Sequence, residues 1–150
     1  MRLRDFLAPE DILLDLKGTT KFGALQELTF HLGLRTSDAS GMLRILERRE
    51  ALGSTGIGRG VAIPHCRTHL VPRLRVVFGR AVPALPWDAI DGQPVSNIFL
   101  LVAPPIEVSN DYLPVLGRIA EFVKAEDTPA RLAAVTTAAE LLELLDERGA

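Results

Sequence analysis

His65 closes the run Gly53–His65, GSTGIGRGVAIPH, in which five positions are glycine or proline. A neutral imidazole offers a lone pair on one ring nitrogen, and the ordinary histidine pKa of about 6.5 keeps that form available at physiological pH. Such a nitrogen can attack phosphorus and later release the group, so histidine serves as a reversible phosphoryl carrier. Glycine has too much freedom, and proline lacks the N–H, for this run to make a good helix. It predicts a tight loop whose backbone N–H groups, at Ser54, Thr55 and Gly56 and again at Gly58, Arg59 and Gly60, form part of an oxyanion cradle. Phosphoryl transfer needs in-line positioning and charge stabilisation more than covalent help from the protein, so a cation is expected to supply the rest. Pro64 biases Ile63 toward an extended conformation, which places His65 just past a strand-like Ala62-Ile63-Pro64 segment.

Other chemistries fit the run less well. It lacks the G-K-[ST] ending of a Walker A loop. Its glycines precede a strand rather than a helix, unlike a dinucleotide fingerprint. Cys66 points to the opposite side of an extended backbone from His65, which disfavours a shared Cys–His nucleophile. A zinc site from His65, Cys66 and His69 lacks the ligand spacing and a fourth partner, so no metal site is expected. His69 reads as an exposed loop residue, His31 as a helix C-terminal residue favoured by the dipole, and Trp87 as core or a surface anchor near the Asp91-Gly92 turn.

The elements around the loop alternate between strand and helix. Asp11–Leu16 reads as a short strand. Thr20 offers an N-cap for a helix running to about Leu32, with Phe22, Leu25, Leu28 and Leu32 at helical spacing and Gly33 as its stop. Ser37 is expected to cap a second helix carrying Met42, Ile45, Leu46 and Leu52, which Gly53 ends. Leu74–Phe78 and Ile98–Val102 read as strands. The second is apolar throughout, as expected of a strand covered on both faces, and Pro104-Pro105 terminates it. Asp111 or Asn110 is expected to cap a helix that tolerates Pro114 in its first turn and buries Leu116, Ile119, Ala120 and Val123. Thr128-Pro129 reads as a cap followed by proline at the first helical position. Thr137 and Glu140 read as a capping box before Leu141, Leu142, Leu144 and Leu145. The pattern predicts an α/β fold, a mixed sheet of about five strands flanked by helices on both sides.

Composition narrows the functional classes. The 150 residues suit one domain, residues 1–150, with a single core. Apolar residues are 47% and charged residues 24%, the balance of a globular chain rather than a disordered one. The net charge of -2, from 17 basic and 19 acidic residues mixed along the chain, gives no support to nucleic-acid binding. The single Cys66 excludes an internal disulfide and fits a reducing compartment. The N-terminal segment lacks the apolar core of a signal peptide, and no apolar run approaches the roughly 20 residues needed to cross a bilayer. The expectation is a cytoplasmic protein with no membrane insertion.

The run REALGSTGIGRGVAIPH, Arg49 to His65, closely resembles the active-site signature of the fructose/mannitol/nitrogen-type IIA domains of the bacterial phosphotransferase system. The resemblance extends over nearly the whole chain, including the W-x-x-x-D-G-x-P-V segment from Trp87 to Val95 and the FLLVAPP strand end. It implies that His65 accepts a phosphoryl group from HPr or its nitrogen-branch relative. His65 would then pass the group to a IIB cysteine or keep it as a regulatory mark. It also implies that Arg49 stabilises the phosphoryl oxygens, a role suited to a guanidinium. From the residues alone, Arg49 reads equally as a helix-end residue paired with Glu47 or Glu50. No metal or organic cofactor is implied, because donor and product both store the group on a side chain.

The chain departs from the family pattern at one position. Members usually carry a second histidine after the V-A-P-P strand end, and Tyr112 stands in that place here. Tyrosine can donate a hydrogen bond to a phosphoryl oxygen or to His65 but cannot be a cation. Three functions remain in view: a transfer intermediate in sugar uptake, a nitrogen-branch regulator, and a degenerate relative that binds partners without phosphorylation. The absence of a fused IIB or IIC segment favours the regulator.

Overall fold

The computed structural model describes residues 1–150. In chain order the strands are β1 (Ile12–Leu13), β2 (Gly56–Gly58), β3 (Val61–Ala62), β4 (His65–Arg67), β5 (Arg75–Leu85) and β6 (Val95–Ala103). The helices are α1 (Lys21–His31), α2 (Thr36–Leu52), α3 (Tyr112–Val123), α4 (Thr128–Ala134) and α5 (Ala138–Glu147). The six strands form one mixed sheet in the order β1-β5-β6-β3-β2, with β4 also paired to β6. β5 and β6 are antiparallel, whereas β1 runs parallel to β5, and β3 and β4 run parallel to β6. The expected α/β class holds, with one strand more than the sequence suggests. The first strand is shorter than expected, because Pro9–Asp11 turns as a 3₁₀ helix before it and the chain bends at Leu14-Asp15 after it.

β6 explains the two-sided sandwich. Ile98, Leu100 and Val102 pack with Leu25, Leu28, Met42 and Leu46 of α1 and α2. Phe99, Leu101 and Ala103 pack with Val115, Ile119, Phe122, Leu141 and Leu145 of α3 and α5. A strand alternates its side chains between faces, so one covered on both sides must be apolar at every position. Phe99 meets Phe78 of β5 and Phe122 of α3 edge-on, with ring centroids 5.0 Å and 6.5 Å away, a preferred geometry for aromatic quadrupoles.

Helix boundaries follow local chemistry with some shifts. The Thr20 hydroxyl accepts the Gly23 N–H at 3.0 Å, and Gly33 follows α1 at φ 77°. Arg35 rather than Ser37 occupies the N-cap of α2. Met42 and Leu46 are buried, but Ile45 and Leu52 face outward, Leu52 at 87% exposure. Ala120 is likewise exposed, and α3 buries Val115, Ile119, Phe122 and Val123 instead. Thr128 is the first residue of α4 rather than its cap, and it donates its hydroxyl to the Phe122 carbonyl at 3.0 Å. Thr137 caps α5 through the Glu140 N–H at 3.2 Å, while the Glu140 carboxylate reaches back to Thr136. No helix is long and apolar enough to cross a membrane.

Candidate phosphoryl-acceptor site

β4 sets the chemistry by its alternation. His65 pairs with Leu101 and Arg67 with Ala103 of β6, so both project to the α3 side of the sheet. Cys66, between them, projects to the α1/α2 side and is buried there. Burial pushes its thiol up to about 12, which keeps it protonated and poorly nucleophilic. A zinc site joining His65 to Cys66 is therefore not assembled. His69 lies exposed beyond the strand.

The imidazole of His65 is oriented by its own backbone. Nδ1 lies 2.7 Å from the Ile63 carbonyl oxygen. A carbonyl only accepts, so Nδ1 carries the proton and the lone pair sits on Nε2. Pro64 makes this possible by holding Ile63 extended, and the strand is pinned on both sides of His65. Leu101 donates its N–H to the Pro64 carbonyl at 2.9 Å, and Thr68 donates to Ala103 at 2.8 Å.

Tyr112, the first residue of α3, brings its ring to 5.8 Å from His65 at an interplanar angle of 62°. Burial is the main reason its phenol is pushed up to about 12; the nearby Cys66 adds to the rise, and the Arg67 and Arg49 charges pull the other way. The hydroxyl thus stays a donor across the physiological range. Asp111 stands at the α3 N-cap but makes no side-chain bond to the helix. Its backbone N–H lies 3.4 Å from the Ser109 hydroxyl, on the loop side. In the opening turn of α3, Pro114 has no N–H, so only Tyr112 and Leu113 carry backbone donors there.

Arg67 is the site residue that sequence reasoning missed. Its guanidinium carbon sits 4.4 Å from the centre of the Tyr112 ring. Nη1 donates to the Pro104 carbonyl at 2.9 Å and the Ser109 carbonyl at 3.2 Å. The signal was present, because residues i and i+2 of an extended segment share a face.

Arg49 comes from the last turn of α2 and donates to the Gly53 carbonyl at 2.7 Å. It pairs with neither Glu47 nor Glu50. Glu50 is buried and meets Lys21 Nζ at 2.7 Å; its carboxylate also accepts from the Thr55 N–H at 3.2 Å and from the Thr55 hydroxyl. Lys21 donates in turn to the Trp87 carbonyl at 3.1 Å, and the Ser54 hydroxyl donates to the same oxygen at 3.3 Å. Trp87 is core, at 1% exposure. This cluster holds the turn after α2 and, through Gly53, the Arg49 side chain.

Three of the six N–H groups expected in the cradle are already taken. The Thr55 N–H is taken by Glu50, that of Gly56 by the Ser54 hydroxyl at 3.0 Å, and that of Arg59 by Asp91 at 3.1 Å. β2 and β3 form a hairpin closed at Arg59-Gly60, where φ is 57° and 74°. Positive φ at both central residues is the demand of a type I′ turn. Gly56 is glycine because a Cβ would stand 2.5 Å from Ala89 Cβ. Val61 pairs with Asn97 and His65 with Leu101, so about 13 Å of extended strand separates the start of β3 from the imidazole. Gly58 and Gly60 thus build the hairpin and stand away from the site, while Ser54 and Thr55 brace the turn after α2.

Comparison with known proteins gives the family and the fold. Residues 5–148 match the family model for the phosphoenolpyruvate-dependent sugar phosphotransferase system, EIIA 2. A nitrogen regulatory protein of Bradyrhizobium diazoefficiens is 36% identical over 146 residues, covering 97% of this chain and 95% of that protein. The crystal structure of nitrogen regulatory protein IIA-Ntr from Neisseria meningitidis superposes with a TM-score of 0.81 at 31% identity, over 95% of this chain and 98% of that one. A complex of enzyme IIA mannitol with phosphorylated enzyme IIB mannitol from Escherichia coli contains a chain that matches with a TM-score of 0.73 at 25% identity, over 94% of this chain and 97% of that chain. With the fold, the matched residues and these relatives in accord, the chain belongs to the type-2 EIIA family of the sugar phosphotransferase system.

Proposed function

We propose that His65 is a phosphoryl acceptor that takes the group on Nε2 from an HPr-like histidine phosphocarrier, and that the protein works in the cytoplasm as a regulator of the nitrogen branch. The bond between Nδ1 and the Ile63 carbonyl carries this reading, because it leaves Nε2 as the free nucleophile. In the transfer the Nε2 lone pair forms the new P–N bond as the donor's P–N bond breaks. The donor imidazole leaves with the electron pair of that bond, and the proton stays on Nδ1, which keeps donating it to the Ile63 carbonyl. Arg49 supplies positive charge for the phosphoryl oxygens. The similarity to nitrogen regulatory proteins from two organisms supports the regulatory role.

Intact-mass measurement after incubation with phosphoenolpyruvate and the general relay proteins tests the assignment. The wild type gains one phosphoryl group and His65→Ala gains none. An unmodified wild type rejects the reading and leaves a partner-binding domain without phosphorylation. The match to a IIA mannitol chain solved with its phosphorylated IIB favours a second reading, onward transfer to a IIB cysteine. Loss of the phosphoryl group to an added IIB domain distinguishes it from regulation. Partners captured differently by wild type and His65→Ala mark the regulator.

A further inference from the structure

The geometry points to Arg67 and Tyr112 acting as one unit, a guanidinium stacked on a phenol, in which Arg67 holds the Tyr112 hydroxyl where it donates to the phosphoryl group on His65. This rests on the phosphoryl-acceptor reading of His65. It adds a donor, Tyr112, and a positioning residue, Arg67, to the transfer.

Three observations carry it. First, His65 and Arg67 lie on the same face of β4, and Tyr112 approaches both, at 5.8 Å ring to ring and 4.4 Å from guanidinium to ring. Second, Arg67 is fixed at its other end. Nη1 binds the carbonyls of Pro104 and Ser109, the two sides of the loop that delivers Tyr112 from β6 to α3. One side chain therefore sets both the loop and the ring. Third, the Arg67 charge lowers the phenol's affinity for its proton against the stronger effect of burial. A cation over the ring draws electron density from the oxygen, which strengthens the O–H as a donor while leaving it protonated.

A guanidinium that only stapled the loop would need the two carbonyls and nothing more. Its place over the ring couples the staple to the group beside the imidazole. Both carbonyls are bound through the single nitrogen Nη1, so it is the stacking of a planar guanidinium on the ring, which an ammonium lacks, that calls for arginine.

The test compares wild type, Tyr112→Phe, Arg67→Gln, Arg67→Lys and the Arg67→Gln/Tyr112→Phe double variant, each checked for folding by circular dichroism. Phosphorylation of the wild type by the relay is the control for the parent reading, and its absence overturns that reading together with this one. Given a phosphorylated wild type, Tyr112→Phe keeps the ring and loses the donor, and its phosphorylation slows by at least about tenfold, the size of one charge-assisted hydrogen bond. Arg67→Gln slows by a similar factor and the double variant by no more than either alone, because each change removes the same interaction. Arg67→Lys restores less than half of the loss. The chain has a single tyrosine, so ζ-¹³C labelling gives one resonance; it shifts on phosphorylation in the wild type and stays in place in Arg67→Gln. Additive losses, or a phosphorylation shift that survives in folded Arg67→Gln, overturn the inference and leave Arg67 as a loop staple.

Discussion

Lys21 Nζ meets the Glu50 carboxylate at 2.7 Å, with the lysine side chain 15% exposed and the glutamate 1%. The pair joins the first turn of α1 to the last turn of α2. It therefore stands directly behind Arg49 and the turn that leads to the β2–β3 hairpin. Removing one partner of a buried pair leaves the other charge without compensation, which costs more than the pair contributes. Lys21→Met is expected to lower stability by about 3 kcal/mol, read by chemical denaturation. Adding Glu50→Gln to that variant is expected to recover part of the loss, and a double variant no more stable than the single one contradicts the buried-charge account.

Arg49 has a different profile. Its one hydrogen bond, to Gly53, lies at the surface, so Arg49→Gln should change unfolding stability by less than about 1 kcal/mol. On the proposed role of Arg49 at the phosphoryl oxygens, the same change should slow phosphorylation of His65 by about a hundredfold. Wild-type transfer together with a clear loss of stability would assign Arg49 to the turn rather than to the phosphoryl group.

Cys66 offers a direct check of the face assignment on β4. Its thiol is buried and pushed up to about 12. The native protein at pH 8 should resist an alkylating reagent, whereas the denatured protein should be modified within minutes. Rapid native modification would mean that β4 presents the thiol to solvent.

Acid stability should depend on the link between α4 and α5. The Arg148 guanidinium, 2.7 Å from Asp127, holds that carboxyl below the usual carboxylate range. A depressed folded-state pKa means that the stabilisation is complete above the unfolded value, about 3.9, and fades as pH falls through the folded one. Thermal midpoints measured between pH 5 and pH 2 should fall less steeply in Arg148→Gln than in wild type. Identical slopes would show that the pair is too well solvated to matter.

The parts of the site governed by local rules were legible in the sequence. Pro64 announces an extended Ile63, and the alternation that follows separates His65 from Cys66. The same rule also singled out Arg67, but only once β4 is known to continue past His65. The hairpin in the glycine run is not legible from the sequence, because exposed N–H groups and a type I′ hairpin make the same demand for glycine. What separates them is the Gly56–Ala89 approach and the Asp91 bond to Arg59, both made by residues distant in sequence. The sequence offers Glu50 only as a partner for Arg49, for a similar reason. Its burial depends on Lys21 and Thr55, and no window around α2 contains the lysine. Tyr112 was placed through its position after the strand end, yet its partnership with Arg67 needed the loop of residues 104–111 to close.

The register of β4 carries a consequence for changes in chain length. Pro64 and Thr68 fix the strand to Leu101 and Ala103, and the three residues between them send imidazole, thiol and guanidinium to alternate faces. Deleting or inserting one residue between Ala62 and His65 exchanges those faces. The thiol would then stand beside Tyr112, and the imidazole and guanidinium would be forced among Leu25, Leu28 and Met42. A deletion at this point is therefore far more damaging than any single substitution there, and the hairpin tip at Arg59-Gly60 is where added length is absorbed.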